Sequence, residues 1–247
     1  MSVAAIAAPA LARLPAGWRA LLGASTRIDL DGFVVLVTPP GTPWLPNAIA
    51  LGSGPTVVWD PVVARIEPGP VLAARGTAIL RALGVARPAG VAGALSGGGA
   101  TRPPRAAVAA LLAALATGDV GALRRAALAL LGRGPGLTPE GDDLLAGACL
   151  AAAAVGDPVA LPPGVRTLTT PLSATLLELA VAGAGPKPVH ALLDLTGERW
   201  RAALRELEQL GASSGRAIAL GVGAAAAVLG ARDVRSVPPR AARHFTA

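Results

Sequence analysis

Residues 136–143 read Gly-Leu-Thr-Pro-Glu-Gly-Asp-Asp, and they hold the densest chemistry in the 247-residue chain. Three carboxylates, Glu140, Asp142 and Asp143, fall within one helical turn, directly ahead of a run of leucine, alanine and glycine. Thr138 suits an N-cap, Pro139 suits the first helical position, and acids in a first turn are favoured by the helix dipole. Those preferences explain a helix start. They do not explain three like charges crowded behind Gly132, Gly134 and Gly136, which let a ligand or another backbone come close. Like charges so near repel unless a cation, a donor-rich ligand or solvent offsets them, so the turn is read as a site.

Two ligand chemistries fit it. A phosphate favours a helix N-terminus, but beside Asp142 and Asp143 it needs Mg²⁺ as a bridge or Arg133 as compensation. A ureido or amide group can instead give its N–H hydrogens to the carboxylates while backbone N–H groups bind its oxygen. An oxygen-only Mg²⁺ or Ca²⁺ site through Glu140, Asp142 and Asp143 stays open on the same residues. No Gly-Lys-Ser/Thr follows, so the turn is not a Walker loop, and no dinucleotide fingerprint stands after a strand.

Two more hydroxyl-bearing turns precede helices: Thr169-Thr170-Pro171-Leu172-Ser173 and Gly211-Ala212-Ser213-Ser214-Gly215, the latter beside Arg216. Helix capping accounts for most of these hydroxyls without a ligand. Histidine is limited to His190 and His244, so a catalytic triad has little support, and His190 reads as structural. The single cysteine, Cys149, sits in an Ala/Leu run and reads as core; it rules out an internal disulfide and, with so few histidines, a His/Cys metal site.

The elements that must position these turns divide at residues 96–104, Ser-Gly-Gly-Gly-Ala-Thr-Arg-Pro-Pro, read as a linker. Before it, residues 1–95 form a β-rich unit, barrel-like or a small sheet. Strands are expected at 33–37, 48–51 and 56–59, separated by turns at 38–41, 52–55 and 67–70, and a helix over 71–83 is expected to close the unit. After it, residues 105–247 form a helical unit of about seven helices. Asp119 caps one running to Leu131, Thr138 one running to Val155, and Thr169 or Thr170 one running to Val181. Trp200, Ala203, Leu204, Leu207 and Leu210 mark the buried face of an outer helix. The fold class is therefore α+β. Setting Gly141 against Gly215 also aligns Leu144 with Ile218 and Gly147 with Gly221, which predicts two small-residue helices that pair and bring their starts together.

Composition narrows the partners. The net charge is +7, but Lys187 is the only lysine and the arginines are scattered; with no tyrosine and only Phe33 and Phe245, base-stacking platforms are missing and nucleic acid is not expected. Mean hydropathy is +0.56, yet the apolar runs 144–156 and 217–231 fall short of the roughly 20 residues of a membrane span and read as buried helices. The N-terminal residues lack a basic stretch before their apolar ones and are broken by Pro9, Arg13 and Pro15, so no signal peptide is expected and the cytoplasm is the expected compartment.

Gly-Leu-Thr-Pro-x-Gly-Asp-Asp, the later Thr-Thr-Pro-Leu-Ser and the Gly-Ala-Ser-Ser-Gly turn together resemble the AllH-like family, a domain of unknown function linked to oxamate carbamoyltransferase. The likeness covers the C-terminal half of the chain well and the β-rich start more loosely, and is most specific at the first motif. It implies a subunit that works with partner subunits on oxalurate and phosphate, giving oxamate and carbamoyl phosphate in purine or allantoin catabolism. Gly136, Leu137, Thr138, Pro139, Gly141, Asp142 and Asp143 match the first motif, Thr170 and Ser173 the second, and Ser214 and Gly215 the third. Asp142 and Asp143 are then expected to be catalytic, orienting a ureido substrate or Mg²⁺. Gly136, Thr138, Gly141, Thr170, Ser173, Ser213, Ser214 and Gly215 are expected to bind substrate. Where the family often places an acid after the last Ser-Gly, this chain has Arg216-Ala217. A non-catalytic assembly protein and a Mg-dependent hydrolase or phosphotransferase are the competing readings.

Overall fold

The computed structural model describes residues 2–4, 26–30, 33–38, 44–50, 57–96 and 102–232. The linker residues 97–101, the turns at 39–41 and 52–55, the strand ends 51 and 56, His244 and most of the N-terminal apolar stretch lie outside them. The architecture is α+β. A mixed sheet comes first, formed by β1 (Ser2–Ala4), β2 (Thr26–Leu30), β3 (Phe33–Thr38), β4 (Ala48–Ala50) and β5 (Val57–Trp59) in the order β2-β3-β4-β1-β5. β2 and β3 are antiparallel with Arg27 opposite Leu36, β3 and β4 are parallel, and β1 lies between β4 (antiparallel) and β5 (parallel). The three strands expected from sequence are present; β1 and β2 are additions, β1 standing in an alanine-rich stretch without flanking turn signals and β2 carrying Arg27 and Asp29 among its apolar residues.

Among the described residues, ten α-helices follow: α1 (Pro70–Ala82), α2 (Val91–Ala94), α3 (Arg105–Thr117), α4 (Val120–Leu130), α5 (Glu140–Ala154), α6 (Val165–Leu168), α7 (Pro171–Val181), α8 (Lys187–Leu193), α9 (Trp200–Leu207) and α10 (Ser214–Gly230). Eight of them follow residue 104, where about seven were expected; the single-turn α6 is too short to show a period. Pro70 and Pro171 occupy the first positions of their helices, where a missing N–H costs nothing. The Asp119 side chain accepts the Ala122 N–H at 2.9 Å and starts α4, as its place in the sequence predicts. Helix α9 buries Trp200, Ala203, Leu204 and Leu207 and exposes Arg201 and Arg205, the one-sided pattern of an outer helix.

Helices α5 and α10 are buried on nearly every side, which is why their sequences show no polar face. They run in the same direction and touch backbone to backbone. A Cβ on Gly147 would lie 2.1 Å from the Ile218 carbonyl oxygen, and one on Gly221 would lie 2.1 Å from that of Leu144. The alignment of Gly141 with Gly215 thus corresponds to a reciprocal contact in space. Helix α1, expected to close the β-rich unit, lies instead along α10, where Gly76 meets the backbone of Gly223 and Ala227. Its apolar face of Leu72, Ile79 and Leu80 is fully buried in the core shared with α10.

Helix α7 ties this core to the sheet. Its Thr175 Oγ1 accepts the Val34 N–H of β3 at 3.3 Å. Just beyond it, Val62 and Ala184 form a bridge flanked by the bonds Val63 N–H to Gly183 O (2.8 Å) and Gly185 N–H to Pro61 O (2.9 Å). The sheet and the helices are therefore joined at the helix whose first turn carries Ser173. Among the described residues, no helix is long and apolar enough to cross a membrane.

Candidate functional site

The starts of α5, α7 and α10 meet, and with them the three motif turns. Helix α5 begins at Glu140 with Pro139 at the N-cap, one residue later than expected, and no side chain caps it. Thr138 is consequently free of the capping role: its Oγ1 lies 2.7 Å from Ser214 Oγ at the start of α10. Ser213, at the N-cap of α10, makes no capping bond either. Capping therefore does not explain the Gly211–Gly215 hydroxyls, whereas it does explain Thr170, whose Oγ1 accepts the Ser173 N–H at 3.1 Å and donates to Leu137 O at 2.5 Å. Gly141 and Gly215 serve close approach: a Cβ on either would collide with the carbonyl of Leu130 or Leu207. Gly136 has a left-handed φ of 93° and open space around its Cα, so it shapes the turn without contacting a neighbour.

The carboxylates occupy the floor of this junction. Glu140, Asp142 and Asp143 are 2 %, 1 % and 3 % exposed, while residues 132, 133, 136 and 137 on the outer side are exposed. Asp142 Oδ1 accepts the Gly132 N–H at 2.8 Å, and its Oδ2 accepts the Thr169 hydroxyl. Thr169 is the residue that the motif comparison passed over in favour of Thr170. Nothing in the sequence separates two adjacent threonines; the turn sends one to the helix end and the other to the acid. Ser173 is 1 % exposed and lies close enough to Asp142 to help hold its pKa down, but its Oγ forms no hydrogen bond. Asp143 Oδ2 is likewise buried without a partner. Buried polar atoms are nearly always paired, so two orphans in one cluster need an explanation.

Burial raises the pKa of Asp142, against the lowering effects of Thr169, the Gly132 N–H and Ser173. Burial also pushes Asp143 up, to about 7; the Ser214 and Thr138 hydroxyls oppose this, and the neighbouring charges of Asp142 and Glu140 add to it. A carboxyl near neutrality can hold or release a proton under physiological conditions, which is the property a general acid or base requires.

The three acids do not act as one ligand set. Glu140 Oε1 accepts the Ser96 N–H at 3.0 Å, Asp142 faces Gly132 and Thr169, and Asp143 faces Thr138 and Ser214. Among the described residues, no group of three or more His, Cys, Asp or Glu side chains is arranged to hold a metal ion. The Mg²⁺ or Ca²⁺ set of Glu140, Asp142 and Asp143 that the sequence leaves open is not assembled by these side chains, because each acid is held by partners of its own: the Ser96 N–H for Glu140, Gly132 and Thr169 for Asp142, Thr138 and Ser214 for Asp143.

The other residues of interest lie elsewhere. Arg216 turns away from the acids, donating to Glu208 Oε1 at 3.2 Å and to Leu83 O, at the end of α1, at 2.7 Å. His190 Nε2 sits 3.0 Å from Pro61 O, and the ring meets Trp59 edge-on, a structural setting. It also borders a groove of about 640 Å³ between residues 64–71 and 193–196, which includes none of the acid-turn residues. Cys149 is fully buried, and burial pushes its thiol up to about 12.

Fold and site together define an α+β protein whose helical part carries a buried, hydroxyl-lined acid pair where three helices start. Residues 130–226 match the family model described as oxamate carbamoyltransferase subunit AllH, and this segment contains all three motif turns. The likeness read from the motifs is thus shown over that segment, and the chain is related there to a subunit of a carbamoyltransferase. No curated protein and no solved structure matches the chain.

Proposed function

We propose that the chain is a carbamoyltransferase subunit that holds a ureido substrate at Asp142 and Asp143 and works with partner subunits. The observation that carries this reading is the meeting of the buried Asp143, Asp142 and Ser173 with the half-buried Thr138 and Ser214 in one cluster with two unpartnered polar atoms. The reaction is the phosphorolysis of oxalurate. A phosphate oxygen attacks the carbamoyl carbon, the bond from that carbon to the oxamate nitrogen breaks, and carbamoyl phosphate and oxamate form. Hydrogen phosphate loses one proton and the departing nitrogen gains one. A carboxyl poised near neutrality can carry that proton, and Asp143 is so poised. Asp142, fixed from two sides by Gly132 and Thr169, orients the substrate amide. Ser173, Thr138 and Ser214 add hydrogen bonds. Transfer between nitrogen and phosphate depends more on charge stabilisation than on a protein nucleophile, so neither a reactive cysteine nor a histidine base is required.

The test is oxalurate phosphorolysis by the chain assembled with its partner subunits. Asp143→Asn should lower turnover by roughly a hundredfold or more, the usual contribution of a positioned acid or base, with assembly and circular dichroism unchanged. Full turnover in that variant removes the catalytic role and leaves an assembly function.

A further inference from the structure

The groups around the acid pair fix which end of a substrate can enter. Among the described residues, Asp143 is acted on by two hydroxyls and two further carboxylates, and Asp142 by two hydroxyls and one backbone N–H. No arginine, lysine or histidine is among them. Arg133 is exposed, Arg216 is committed to Glu208 and Leu83, and His190 lies against Pro61 and Trp59. The two unpartnered atoms, Asp143 Oδ2 and Ser173 Oγ, are an acceptor and a hydroxyl that can accept or donate.

We infer that this acid cluster takes the uncharged amide end of a carbamoyl or ureido compound and rejects anions, so that the phosphate is held by positive charge from a partner subunit. This rests on the function proposed above and adds a division of labour to it. An –NH₂ group supplies the two N–H hydrogens that an unpartnered carboxylate oxygen and a serine oxygen can accept. A phosphate or carboxylate at the same place would face buried like charge with no cation among the described residues to offset it, and such repulsion is an effective source of specificity. The anion must therefore approach the carbamoyl carbon from the opposite side, where the surroundings are supplied by another chain.

The full chain alone is titrated calorimetrically with oxalurate, with its uncharged diamide and with inorganic phosphate, in buffer of low ionic strength. The diamide is expected to bind at least about tenfold more tightly than oxalurate, and phosphate to give no saturable heat. In Asp143→Asn the preference for the diamide should shrink by about tenfold, because the repelling charge has gone while the shape remains. Ser173→Ala, which leaves the acids in place, should weaken the diamide and keep the discrimination against anions. Phosphate binding to the wild-type chain that is lost in Asp143→Asn overturns the inference, as does failure of the diamide to bind at millimolar concentration. A different pattern marks failure of the functional reading: the diamide binds as expected, yet oxalurate turnover by the assembled complex survives Asp143→Asn.

Discussion

Replacing Asp143 by asparagine removes a charge whose burial opposes folding, and the effect has a definite dependence on pH. The carboxyl titrates at 3.8 when unperturbed and at about 7 in the folded protein. Between these values the native state binds more protons than the unfolded state, so stability falls as pH rises; the loss is complete once pH passes the folded value. At 1.36 kcal/mol per pH unit, the interval from 3.8 to about 7 corresponds to about 4 kcal/mol above neutrality. At about pH 5 the loss is only about 2 kcal/mol, since the native carboxyl is still protonated while the unfolded one is not. Asparagine escapes this penalty but brings an amide whose N–H hydrogens need acceptors, at a cost of about 1–2 kcal/mol where they lack them. Thr138 and Ser214 stand close enough to accept one. The variant should therefore exceed the wild type by about 2–3 kcal/mol near pH 8.5 and be close to it near pH 5. Urea unfolding followed by circular dichroism at both values measures this. A difference in stability between the two proteins that does not change with pH would refute the assignment of a near-neutral buried carboxyl. Higher stability combined with lost turnover is the pattern expected of a site that trades stability for function.

The remaining predictions concern the frame around the site. Gly147→Ala places a Cβ 2.1 Å from the Ile218 carbonyl, and a backbone atom cannot yield as a side-chain end can; the loss should be about 3 kcal/mol or more by thermal unfolding. Gly93→Ala, where nothing lies within 4 Å, is the control and should be neutral or stabilising by about 0.5 kcal/mol. Cys149 should resist maleimide in the folded chain and react fully in denaturant, because it is buried and its thiol is pushed up to about 12; labelling followed by mass spectrometry decides it.

Local signals predicted the elements that have them. The Asp119 cap, the one-sided stripe of α9 and the three valine- or isoleucine-bearing strands are all encoded within a few residues, and each stands where it was expected, whereas the start of α7 was legible only as Thr169 or Thr170. β2 is not legible because Arg27 and Asp29 interrupt its apolar residues, and α6 because a single turn shows no helical period. At the site, adjacent residues diverged in role. Thr138 has every local feature of an N-cap but bonds to Ser214, seventy-six residues away in sequence. Glu140 belongs to the same acidic turn as Asp142 and Asp143 but faces the backbone of Ser96.

The acid turn at 136–143, the small-residue character of α5 and α10 and the alignment of Gly147 with Gly221 were determined by the sequence alone, because composition and spacing are local properties. Tertiary structure decided what those features do. Backbone contact at Gly147 and Gly221 draws the starts of α5 and α10 together, and α7 joins them while reaching the sheet through Thr175. That meeting buries Asp143 beside the Thr138 and Ser214 hydroxyls, and burial rather than sequence neighbours is the first cause of its rise to about 7. A carboxyl's charge is written in the chain, but its readiness to give up or hold a proton depends on which surfaces close around it.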